Sequence, residues 1–274
     1  GFVLIYKATE VVNFAQGELM MLGAFLAYTF ISILGWNYWI GAAAAIICMF
    51  FAGNMVDRVF LRPVLGQPQF SIVMVTIGFG YMARSAAGMM PGWGTETYAI
   101  STPFSSEGMQ LVPESMGSLV ISQTDISVIV ATIILCAVLY AFFTHTRLGI
   151  AMQASSQNQL AAYYMGIPVK AVFSMIWGIS AAVAAAAGIL LAPTTLIDTS
   201  MGFIGLKAFP AAVLGGFGSI PGAVVGGLII GIIETLAGFY LPPGFKNVAA
   251  YVVLLIVLVV RPQGLFGQKT GKRV

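Results

Sequence analysis

Residues 11–18 read VVNFAQGE and set Asn13, Gln16 and Glu18 between stretches otherwise suited to lipid. Polar groups in such a setting either line a path for a polar solute or cap the helix that begins at Leu19, with Glu18 near its positive end. Both uses can hold together. Farther along, Gly222 and Gly226 form one GxxxG pair and Gly227 and Gly231 another, and Gly227, Gly231, Glu234 and Gly238 share one helical face. An ionised carboxylate in hydrocarbon is costly, so Glu234 is expected to face protein or water, in an interhelical contact or on a solute path. Just upstream, GGFGSIPG at 215–222 ends one short helix and starts the next. Irregular backbone at membrane depth is tolerated where protein or a water-filled cavity covers it, and paired breaks of this kind point to a translocation pathway.

Enzyme chemistry leaves no comparable trace. There is one histidine, His145, at an expected membrane boundary, and no HExxH or set of Cys, His and carboxylates at metal spacing. The tail GLFGQKTGKR departs from a phosphate-binding loop, because Lys does not follow the second Gly with Ser or Thr behind it. The chain is expected to be no enzyme and to bind no cofactor.

The elements that position these residues follow from composition. The chain is 59% hydrophobic and 8% charged, with a mean hydropathy of +0.96, which marks an integral membrane protein. We expect an all-α, polytopic transmembrane bundle with broken and short helices, a single transmembrane domain over 1–274. Apolar windows predict eight segments, near 19–34, 38–57, 70–90, 125–143, 171–192, 203–217, 220–240 and 246–261. The 203–217 piece is too short for a straight span. GFVLIY at the start cannot span a bilayer either, and is expected to be the end of a truncated N-terminal helix. Cys48 and Cys136 lie in apolar runs and are expected to be buried free thiols.

Two longer polar connections, 91–125 and 144–170, must face opposite sides because one helix separates them. Placing 144–170 in the cytoplasm gathers Arg58, Arg62, Arg147, Lys170, Arg261, Lys269, Lys272 and Arg273 there and leaves Lys207 and Lys246 outside. The 91–125 loop, with Glu96, Glu107, Glu114 and Asp125, is then external, and the basic C-terminal tail is cytoplasmic.

Four stretches taken in order, VVNFAQGELMMLGAFLAY, RLGIAMQASSQNQLAAYYMGI, GLKAFPAAVLGGFGSIPGAVVGGLIIGIIE and RPQGLFG, resemble the permease family of branched-chain amino-acid ABC importers. The resemblance implies a multi-pass subunit of the bacterial inner membrane. It would pair with a homologous second permease, two cytoplasmic ATPase subunits that hold ATP and Mg, and an external solute-binding protein, with lipid around it and no nucleic acid. It also implies that 144–170 couples the permease to the ATPase. Leu160-Ala161-Ala162 followed by Gly166 is similar to the EAA-x-x-x-G signature, with Leu160 where that signature has Glu. Arg147, Gly149, Ala161, Ala162, Gly166 and Ile167 are therefore the candidate coupling residues. For a zwitterionic amino acid the path should offer polar groups without tight binding, which adds Thr76, Thr194 and Thr195 to Asn13, Gln16, Glu18 and Glu234.

Related permeases carry urea, short amides, aromatic acids or simple sugars, and these remain alternatives for the solute. A channel or ion-coupled carrier would instead use Glu18, Arg84 and Glu234 as coupling groups, and should show inverted internal repeats.

Overall fold

Without water to satisfy them, backbone groups in long apolar stretches must bond within the segment, and the chain does this almost entirely as helices. The computed structural model describes residues 1–9, 11–64, 66–94, 96–104, 108–110, 120–242, 244–261 and 263–267. Glu107, Glu114 and the basic tail at 268–274 lie outside the described residues. In chain order the helices are α1 (Phe2–Thr9), α2 (Gln16–Tyr28), α3 (Tyr38–Val56), α4 (Gln69–Met89), α5 (Gln123–His145) and α6 (Arg147–Gln157). They continue with α7 (Gln159–Tyr164), α8 (Val169–Thr195), α9 (Met201–Leu206), α10 (Ala208–Gly215), α11 (Ile220–Tyr240) and α12 (Phe245–Val260). Wider turns extend α2 to Ile33 and α3 to Leu61.

Six of these, Gln16–Ile33, Tyr38–Val64, Gln69–Met89, Gln123–His145, Val169–Thr195 and Ile220–Tyr240, are long and apolar enough to cross a membrane. The other two expected segments are shorter, Met201–Gly215 and Val248–Val260. The first of them is broken at Lys207 into α9 and α10. Lys207 therefore lies within the broken segment. It sits at that joint with Nζ 3.5 Å from Oε1 of Glu234.

Small residues set the packing. In α8, Ala181, Ala184, Ala185 and Gly188 are buried, and a side chain at Gly188 or at Gly23 of α2 would run into the backbone of the facing helix. Consequently α2 lies at the centre, 61% buried along its span, whereas α5 is 6% buried and forms the perimeter. Cys48 and Cys136 are free thiols as expected, but neither is fully buried: Cys48 on α3 is exposed and Cys136 on α5 is half-buried.

The 91–125 connection contains a small antiparallel hairpin, β1 (Gly108–Gln110) with β2 (Val120–Ser122). It is tied down where Tyr98 and Ile197 exchange two backbone hydrogen bonds of 2.8 Å. Next to that bridge, Leu196 takes a left-handed backbone conformation with φ of 61°.

Candidate functional site

The break ahead of α2 is built by its own side chains. Asn13, completely buried, accepts a hydrogen bond from the Ala15 amide at 3.0 Å through Oδ1. The Phe14 amide donates to Thr76 Oγ1 at 3.3 Å, and that hydroxyl donates onward to the Val73 carbonyl within α4. Two amides that would be orphaned at a buried helix start thus find partners. Asn13 Nδ2 also donates to Gln16 Oε1 at 3.2 Å. Gln16 in turn reaches Ser180, near the middle of the 27-residue α8, donating from Nε2 to its carbonyl at 3.2 Å and accepting from its hydroxyl at 3.0 Å. Asn13 and Thr76 thus satisfy the amides of the break, α2 itself carries no side-chain cap, and Gln16 and Glu18 make other contacts.

Glu18, in the first turn of α2, points at α4. Its Oε1 accepts a 2.5 Å hydrogen bond from Arg84 Nη2, and the two side chains are 8% and 18% exposed. The guanidinium lies over the ring of Phe203 in α9, 3.9 Å from the centroid. Arg84 Nε is buried and makes no hydrogen bond among the described residues. A cavity of about 210 Å³ opens beside the pair, lined by Phe14, Glu18, Ile77, Gly80, Tyr81, Arg84, Phe203 and Leu206.

Backbone contact brings α9 to this place. A Cβ on Gly17 would strike the Gly202 carbonyl, and one on Gly205 would sit 2.5 Å from Gly17 Cα. Helices α2 and α9 cross where neither carries a side chain, which delivers Phe203 to Arg84.

Asn13, Gln16, Glu18 and Thr76 thus gather around one break, while three other candidates lie apart. Thr194 and Thr195 are exposed at the C-terminal end of α8, and both hydroxyls bond back to the Leu191 carbonyl. These i−3 and i−4 bonds occupy the hydroxyls on the backbone of their own helix. Glu234 pairs with Lys207 at the α9–α10 joint. Of the helix-packing glycines, Gly222 and Gly226 press against the backbones of Gly215 and Ala211 in α10. Gly227 and Gly231 are exposed with open space beyond them, because α11 turns the Gly222, Gly226 and Ile230 side inward. Among the described residues no other part of this chain packs on Gly227 or Gly231.

Sequence reasoning did not bring Ser180, Gly202 and Gly205 to this break, and named Arg84 only as a coupling group of the carrier alternative. Arg84 had a signal, since it is the one basic residue in the apolar run from Phe70 to Met90. Ser180 and the two glycines had none, because their roles depend on which helix faces them.

At the opposite end of α4 and α8 lies the 144–170 connection. Thr146 accepts from the Gly149 amide and caps α6, and a Cβ on Gly149 would hit the Phe142 carbonyl, so α6 folds tightly onto the end of α5. Asn158 caps α7 through the Ala161 amide. Gly166 ends α7 with φ of 81°, its amide bonded to the Tyr163 carbonyl and that of Ile167 to the Ala162 carbonyl. Ala162 faces inward at 4% exposure and Ile167 packs beside Val172 and Phe173, while Arg147 and Ala161 are exposed. The outward face is Leu160, Tyr163, Tyr164 and Met165, 66–82% exposed. Small residues thus fasten the loop to its own bundle, and large apolar ones project from it.

Nearby, Asp57, 2% exposed, takes the Ser174 hydroxyl at 2.5 Å and Arg62 Nε at 3.3 Å. Arg62 Nη2 also bonds Ser174 Oγ and the Lys170 carbonyl, fastening the end of α3 to the start of α8.

Residues 1–260 match the family described as branched-chain amino acid transport system, permease component. The high-affinity branched-chain amino acid transport system permease protein LivH of Escherichia coli (strain K12) is 32% identical, covering all of this chain and 91% of the relative. The corresponding permease protein BraD of Pseudomonas aeruginosa is also 32% identical, over all of this chain and 92% of its own length. A probable branched-chain amino acid transport permease protein LivH of Methanocaldococcus jannaschii is 28% identical, over 97% of this chain and 86% of the relative. No solved structure matches.

Proposed function

The chain belongs to the family of permease components of branched-chain amino acid transport systems, and from that premise we propose that it forms the translocation path of an ATP-driven importer for branched-chain or related amino acids. It is a multi-pass membrane protein and a transporter subunit. The observation that carries the proposal is the ion pair between Glu18 and Arg84, held inside the bundle beside a cavity at the break before α2. Ionised side chains at membrane depth are retained where they serve a solute or ion pathway.

In this reading the break at 11–15 and the joint at Lys207 are the two irregular elements that can change their facing without unfolding a full span. Asn13, Gln16 and Thr76 hold the first break in place. Two partner ATPase subunits supply ATP and Mg, and hydrolysis takes place on them. The apolar face of α7 docks on one of them and passes its closing and opening to α8 through the Asp57–Arg62–Ser174 cluster. A second permease completes the path, and a solute-binding protein delivers the amino acid on the 91–125 side. With 144–170 on the cytoplasmic side of a bacterial inner membrane, the C-terminus is cytoplasmic. An independent carrier would have no use for the projecting side chains of Leu160, Tyr163, Tyr164 and Met165.

The test is to purify the chain from native membranes, identify what comes with it, and reconstitute the complex in liposomes. ATP-dependent leucine uptake with co-purified ATPase subunits is the expected result. The chain moving solute alone, without ATP, would overturn the proposal.

A further inference from the structure

Resting on the reading of this chain as an amino-acid permease, we propose that Glu18 and Arg84 together recognise the ammonium and carboxylate of a free α-amino acid, with Phe14, Ile77, Phe203 and Leu206 receiving its apolar side chain. A zwitterion presents one positive and one negative group on neighbouring atoms. The site offers the complementary pair on two different helices, α2 and α4, so the charges can part without either helix unfolding. Until solute arrives, each neutralises the other.

The pair borders space rather than filling a core. The adjoining cavity of about 210 Å³ is smaller than the pockets of roughly 300–1,000 Å³ that hold drug-sized ligands, and suits one small solute. Its other walls are largely apolar and aromatic. Glycine stands on both sides of the charges. A Cβ at Gly80 would lie 3.3 Å from Glu18 Oε2, and one at Gly202 would lie 3.0 Å from Arg84 Nη2 and 3.1 Å from Glu18 Oε1. Any larger residue there would press into the space that a solute must enter.

Arg84 also has a donor in reserve. Nη2 is engaged by Glu18, but the buried Nε makes no hydrogen bond among the described residues. Nε and Nη2 form the edge of a guanidinium that grips a carboxylate with two parallel bonds. A solute carboxylate takes that edge, displaces Glu18, and leaves Glu18 to accept the ammonium. Phe203 beneath the guanidinium keeps its plane fixed through the exchange. Since each binding event must break the resting pair, affinity stays low enough for release.

The experiment uses the whole complex with its ATPase subunits in proteoliposomes. Leucine uptake at saturating binding protein is measured for wild type, Glu18→Gln, Arg84→Gln and the double variant. Binding of labelled leucine to the complex without binding protein is challenged with isoamylamine, which lacks the carboxylate, and isocaproate, which lacks the ammonium. We expect neither analogue to displace leucine, and uptake to fall on the order of 30-fold or more in both single variants. The double variant leaves no unpaired charge, so it should assemble yet remain inactive. Gly202→Ala keeps both charges and narrows the space between them, and should lower uptake several-fold in a fully assembled complex. Displacement by either analogue, or wild-type uptake in the double variant or in Gly202→Ala, overturns the proposal alone. A wild-type complex without ATP-dependent uptake of any amino acid overturns the permease reading beneath it.

Discussion

Gln16 meets Ser180 with both ends of its amide, giving a hydrogen bond to the carbonyl and taking one from the hydroxyl across the α2–α8 contact. Both residues are buried, so neither partner can turn to water if the other is lost. Ser180→Ala should cost about 1 kcal/mol, since Asn13 still donates to Gln16 Oε1. Gln16→Leu strands the Asn13 amide as well and should cost about 1–3 kcal/mol. Equilibrium unfolding in mixed micelles with increasing dodecyl sulfate would measure both. Equal losses would mean that the network is not shared in this way.

The glycines sort into two groups with opposite expectations. Gly17→Ala, Gly205→Ala and Gly226→Ala each push a methyl group into facing backbone and should destabilise by about 1–3 kcal/mol or more, with loss of folded protein from membranes. Gly227→Ala and Gly231→Ala project into open space. They should leave the stability of the isolated chain unchanged or raise it slightly, because Ala is the better helix former. Size-exclusion profiles and unfolding midpoints of the five variants, compared side by side, would check this.

The same contrast shows what the sequence could and could not convey. The spans were legible because hydrocarbon enforces long apolar helices, and the break at VVNFAQGE was legible because Asn13, Gln16 and Glu18 have no place on a lipid-facing helix. Which side of α11 turns inward was not, since Gly226 and Gly227 are adjacent and spacing alone allows either to face a neighbour. Thr194 and Thr195 looked like pathway residues, because sequence alone does not show that both hydroxyls turn back onto the Leu191 carbonyl of their own helix. That Lys207 meets Glu234 at the joint of a broken helix was not legible either, because the two lie on different helices.

The projecting face of α7 can be tested apart from the loop that carries it. Leu160→Glu or Tyr163→Ala changes side chains that are 66% and 70% exposed, so folding should be unaffected while co-purification of ATPase subunits falls on the order of tenfold. Ala162→Arg should instead unseat the loop, because Ala162 is buried against its own bundle. Gly166→Ala should cost about 1 kcal/mol through strain at its left-handed turn rather than through a lost partner contact. Circular dichroism beside the pull-down separates the cases. Normal ATPase association in Leu160→Glu and Tyr163→Ala would show that this face is not the docking surface.

The Asp57 cluster lies between that loop and the membrane path, and its variants should separate stability from coupling. Asp57→Ala removes the acceptor for both Ser174 and Arg62, and should cost about 1–3 kcal/mol. The upper range for a fully buried pair does not apply, because the Arg62 side chain is 34% exposed and water can take up part of its charge. Arg62→Lys keeps the charge but lacks the fork that reaches Asp57, Ser174 and the Lys170 carbonyl at once, so its stability loss should be smaller. If the cluster carries motion from α7 to α8, Arg62→Lys should still bind the ATPase subunits and hydrolyse ATP while moving less solute per ATP. Measuring uptake and phosphate release on the same proteoliposomes decides it, since an unchanged ratio would leave the cluster a purely structural tie.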